Sequence, residues 1–108
     1  MKTMPLILAT AALAASLPVL AATGSYDAGK AKSTTCAACH GYDGNSTMPS
    51  FPRLAGQHRD YLLQALHEYK TGKRTNPIMG GQVKALSDAD MENLATYFSE
   101  QKGLTLKY

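Results

Sequence analysis

Cys36-Ala37-Ala38-Cys39-His40 is the stretch on which the fold turns. Two cysteines with two residues between them and a histidine directly after have the spacing of a c-type haem attachment site. In a helix the two thiols stand one turn apart, so both can reach one edge of a flat macrocycle. They would add across its two vinyl groups as thioethers, and the imidazole of His40 would sit under the iron. The pattern has other uses. A structural zinc site takes about four ligands; His58 or His67 could add a fourth to Cys36, Cys39 and His40, but the spacing fits no common zinc pattern. A thioredoxin-like redox pair expects a βαβ setting. A disulfide is the default for two cysteines in an oxidising compartment, yet here it would close a tiny loop and constrain the unfolded chain little. A chance match to so short a motif is the remaining alternative.

The rest of the chain narrows these readings. It has 108 residues, room for one small domain. Lys2 precedes a run over 6–20 that is almost wholly Ala, Leu, Ile and Val, broken by Thr10, Ser16 and Pro18. Val19-Leu20-Ala21 puts small residues where a signal peptidase reads. Residues 1–21 therefore read as a secretory signal peptide, cleaved after Ala21, with Ala22 as the alternative. The run is shorter than the roughly 20 apolar residues of a spanning helix and Pro18 interrupts it, which argues against a membrane anchor. The expected mature domain is 22–108, exported to the periplasm.

That domain is small, with two Phe and no Trp for a core. A chain of this size buries little apolar surface, and a covalently held haem would supply the apolar centre that its side chains lack. Leaving out Lys2, ten basic and eight acidic residues give a formal +2. That mild charge does not resemble a nucleic-acid-binding patch.

Three helical stretches follow from the patterning. The first covers about 27–40, with Asp27 as N-cap and a weak stripe of small residues at Ala28, Ala31, Thr35 and Cys39. Gly29 inside it costs about 1 kcal/mol against Ala, for which close approach by another helix is the expected reason. The second covers 57–71, with Tyr61, Leu62, Ala65, Leu66 and Tyr69 on one face and Gly72 as the stop. The third covers 87–101. Ser87 and Asp90 suggest a capping box, Leu86 and Met91 a hydrophobic staple. Its buried stripe is Met91, Leu94, Ala95 and Phe98, with Tyr97 at the edge. Residues 42–56 and 72–86 read as loops, and no strand is convincing. An all-α domain with loops this long usually wraps a ligand.

With those motifs in place, the chain resembles the class I c-type cytochromes. Within them it is similar to the small bacterial monohaem type, a single domain of cytochrome c4 or cytochrome c5. The resemblance runs through Cys36–His40 and Gly41, then 51–58, Tyr61-Leu62, 70–74, Asn76-Pro77-Ile78-Met79, Leu86-Ser87-Asp88 and 94–98. It implies the class I cytochrome c fold, with about three main helices and long loops around one covalent haem c and its iron. It also implies N- and C-terminal helices crossing near Gly29 and Tyr97, and a backbone carbonyl at Pro52 that accepts the spare imidazole hydrogen of His40.

The resemblance places the sixth iron ligand in the second half of the chain's pattern. Met79 follows Pro77 and precedes Gly80-Gly81, which would let the backbone lie close to a flat cofactor, so it is the expected ligand. Met91 is assigned to the core, Met48 lies on the loop expected along the proximal side, and His58 would give bis-His ligation instead. Two strong axial ligands leave no open position on the iron. The expected role is therefore a one-electron carrier rather than an enzyme, serving redox partner proteins such as a respiratory complex, an oxidase or a dehydrogenase. The alternative is the haem c subunit of a larger periplasmic dehydrogenase or sulfur-compound oxidoreductase, hinted at by Leu63 on the polar face of the second helix. Lys70, Lys73 and Arg74 form a basic cluster that either steers an acidic partner or is simply a solvated helix end.

Overall fold

The structure is a computed structural model and describes residues 2–16 and 24–104. The expected cleavage points after Ala21 and Ala22 lie outside the described residues. Residues 2–16 are exposed and carry neither helix nor strand, and among the described residues no helix is long and apolar enough to cross a membrane.

The domain is built from α1 (Tyr26–Lys32), α2 (Thr34–His40), α3 (Arg59–Thr71), α4 (Pro77–Val83) and α5 (Asp88–Ser99). No strand occurs among the described residues, so the all-α expectation holds. The expected three helices become five for two local reasons.

The first stretch is divided at Ser33, whose Oγ donates to the Lys30 carbonyl at 2.7 Å. A serine that bonds its own helix backbone competes with the ladder that would carry the helix on. The first N-cap is Ser25, which accepts from the Ala28 N–H; Asp27 falls in the first turn instead, where its carboxylate favours the helix dipole.

The second addition is α4, inside the stretch expected to be a loop. Asn76 caps it, its side-chain oxygen accepting from the N–H groups of Ile78 and Met79, both at 3.0 Å. Pro77 then occupies the first turn, where its missing N–H has no cost. His58, expected in the first turn of its helix, is the exposed N-cap residue of α3.

The core lies between α3 and α5. Leu62, Leu94, Ala95, Tyr97 and Phe98 form its buried cluster, with Leu54, Leu66 and Leu86 packed against it. Leu63 packs there too, which removes the exposed leucine expected on that helix. Tyr61, expected on the buried face, is 48% exposed. The capping box of α5 is present on both sides: Asp90 N–H to Ser87 Oγ and Ser87 N–H to Asp90 Oδ2, each 3.0 Å.

Two sets of contacts fix the frame around the core. First, α1 packs across α5 at Gly29, which faces the backbone of Asn93 and the side chain of Tyr97. Second, loop 42–56 is tied down from both directions. The Tyr97 hydroxyl donates to the Tyr42 carbonyl at 2.6 Å, and the Gly56 N–H donates to the Phe98 carbonyl at 3.0 Å.

Candidate functional site

A cavity of about 350 Å³ opens beside this core, within the size range of small-molecule and cofactor sites. Cys36, Cys39 and His40 reach it from α2, Pro52 from the loop, and Met79 from α4; aliphatic and aromatic side chains of α3 and α5 supply one part of the remaining wall, and residues of α4 and the loops the rest.

Both cysteines are half-buried, free thiols. Burial pushes the Cys36 thiol up from its ordinary 9.0, a hydrogen bond involving Thr35 opposing this in part. A thiol shifted in this direction lacks the low-pKa thiolate on which a redox pair depends. Nor do the other zinc ligands assemble: His58 and His67 do not line the cavity, and among the described residues no group of three His, Cys, Asp or Glu could hold a metal ion.

His40 is the last residue of α2 and only 6% exposed. Its Nδ1 lies 2.8 Å from the Pro52 carbonyl oxygen. A carbonyl can only accept, so Nδ1 carries the donated proton, and in the neutral ring the lone pair is then on Nε2. Such a bond fixes the tautomer and orientation of a metal-binding imidazole. Phe51 stands edge-on to the same ring, with centroids 6.5 Å apart.

The three methionines of the described domain separate by place. Met91 is fully buried core, and Met48 is 56% exposed. Met48 borders a second cavity with Phe51, Pro52 and Arg53 and does not line the first. Met79 is half-buried and lines the first. It is the third residue of α4 rather than part of a non-helical loop. A Cβ added at Gly80 or Gly81 would meet nothing within 4 Å, so no protein atom requires glycine at either place. Two free thiols, a ring nitrogen with its lone pair available and a thioether, together in one largely apolar cavity, fit a covalently bound haem.

The cytochrome c family matches residues 26–102. The chain belongs to the cytochrome c family. It carries one covalent haem c, tethered at Cys36 and Cys39 with His40 beside it. Cytochrome c4 of Pseudomonas aeruginosa is 52% identical over 81 residues, which are 75% of this chain and 40% of that protein. Cytochrome c-554(548) of Halomonas halodenitrificans is 38% identical over 82 residues, 73% of this chain and 99% of that protein. The crystal structure of reduced recombinant cytochrome c4 from Pseudomonas stutzeri superposes with a TM-score of 0.72 at 46% identity, covering 75% of this chain and 47% of that one. The chain thus spans less than half the length of the cytochrome c4 proteins it matches.

Sequence reasoning missed one group at this site. Tyr61, Tyr69 and Arg74 all line the cavity, and the Arg74 guanidinium carbon lies 5.9 Å and 5.4 Å from the two ring centroids. The available signal was the spacing: two tyrosines on one face of a helix, with an arginine shortly after it.

Proposed function

We propose that this chain is a periplasmic one-electron carrier whose haem iron is held by His40 on one side and Met79 on the other. The observation that carries the reading is that Met79 lines the cavity of His40, Cys36 and Cys39, whereas Met48 and Met91 do not. Bound haem supplies a one-electron Fe(III)/Fe(II) couple. The protein groups do the rest. Pro52 holds His40 in the tautomer that presents Nε2, and the apolar wall excludes water. The Met79 thioether, a soft ligand, favours the reduced state relative to a second imidazole. With His40 and Met79 both holding the iron, no coordination site would be left for a substrate, which supports electron exchange with partner proteins over turnover. The partners fitting this chemistry are other redox proteins: a respiratory complex, an oxidase or a dehydrogenase. The leader read in residues 1–21 supports export, and the match to nearly the whole of the Halomonas cytochrome supports a single domain as a working unit.

An absorption spectrum of protein made with the haem-attachment machinery tests the reading. Sharp ferrous α and β bands are expected, with the weak far-red ferric band of Met ligation. Met79→Ala should abolish that band and Met48→Ala should keep it; a band that survives Met79→Ala rules the ligand out.

A further inference from the structure

Two of the three cations in the 70–74 cluster are engaged with the protein's own groups. The Arg74 guanidinium lies over the rings of Tyr61 and Tyr69 and pairs with Glu68 at 3.3 Å. The Arg74 N–H also donates to the Glu68 carbonyl at 3.1 Å. All three partners belong to α3. At the far end of the same segment, the Lys70 ammonium donates to the Leu86 carbonyl. Residues 72–86 are therefore joined to α3 near both ends, and Met79 lies between the joints. Two residues after Arg74 comes Asn76, the cap of α4, which binds the Met79 N–H directly.

We infer that Arg74 and Lys70 are positioning residues that fasten segment 72–86 to α3 and so keep the Met79 sulfur in the cavity against competing ligands. The inference rests on the assignment of Met79 as a ligand. A planar guanidinium can stack on an aromatic face and pair with a carboxylate at once, which an ammonium cannot. The apparent affinity of an outside ligand depends on the fraction of molecules in which Met79 has swung away, so looser fastening appears as tighter binding of that ligand.

The test is titration of the ferric holoprotein with imidazole at neutral pH, with the far-red band recorded alongside. Arg74→Ala should bind imidazole about tenfold more tightly, equivalent to about 1.4 kcal/mol of fastening, and weaken the band. Arg74→Lys should fall between it and the parent protein, and Lys70→Met should act in the same direction. Should Arg74→Ala fail to accumulate, Arg74→Lys and Tyr69→Leu carry the test. Lys32→Ala, which breaks the pair with Asp90 on α5, should leave imidazole binding unchanged. An equal gain in Lys32→Ala would mean general loosening and overturn the inference. Parental binding in the Arg74 variants, with tighter binding in Met79→Ala, would overturn the fastening and leave the ligand assignment standing. No change in Met79→Ala would remove the ligand assignment itself.

Discussion

Gly29 of α1 and Tyr97 of α5 meet where the terminal helices cross: a Cβ on Gly29 would stand 2.8 Å from the Tyr97 Cβ and closer still to the Asn93 backbone. The crossing distance is set by the absence of one carbon. Alanine would recover about 1 kcal/mol of helix propensity, but overpacking against backbone costs about 1–3 kcal/mol and occasionally more. Gly29→Ala should lower holoprotein stability by about 1 kcal/mol net in denaturant titration. A variant as stable as its parent would show that the helices can separate freely.

The Tyr97 hydroxyl carries a separate load. It donates to the Tyr42 carbonyl across 55 positions of sequence and pins the loop that follows His40. Tyr97→Phe keeps the ring and its tilted contact with Tyr26, 5.2 Å between centroids, and loses only the hydroxyl with its hydrogen bonding. The expected cost is about 1 kcal/mol, or a fall of about 4–8 °C in Tm for a domain of this size. Thermal unfolding by circular dichroism measures it, and an unchanged Tm would sink the idea.

Acid should weaken α5 through its cap. The Ser87 backbone N–H, with help from the Ser87 side chain and Lys32, holds the Asp90 carboxyl below its ordinary 3.8. A depressed folded-state value means that the contribution is fully present above 3.8 and is lost as pH falls through the lower, folded value. Asp90→Asn should therefore be less stable than its parent at neutral pH, with the gap closing below about pH 3.8. A gap that stays constant through that range would exclude the carboxylate as its source.

Exchanging the distal donor should move the potential in a known direction. Met79→His replaces a soft thioether by an imidazole that favours Fe(III) more strongly. Axial ligands command a range of about 0.8 V, and a drop of roughly 0.2 V is expected by voltammetry. A potential that rises or does not move would mean that Met79 is not on the iron.

Legibility in the sequence followed signal strength. The haem motif, the capping box at Ser87 and Asp90, and the apolar stripe of α5 were readable because each rests on several residues in fixed register. The missed helix α4 holds Pro77, Gly80 and Gly81 within seven residues. Those residues mark loops by composition, and only the Asn76-Pro77 pair, a cap followed by a proline in the first turn, argued for a start. The break at Ser33 was hidden because a serine can continue a helix or bond its backbone, and periodicity does not distinguish the two. At the site, Cys36, Cys39 and His40 were legible as a contiguous motif. The Tyr61–Arg74–Tyr69 stack was not, since it depends on how a turn at Gly72 folds the chain back on α3.

The atom of Pro52 that holds His40 is a backbone oxygen. Exchanging the residue at position 52 leaves a carbonyl in place, so point substitution there has little purchase on the histidine. An insertion or deletion between Gly41 and Phe51 would instead slide a different carbonyl, or none, to the ring. The hydrogen bond to His40 thus depends on the twelve positions between the ring and its acceptor, a requirement on loop length.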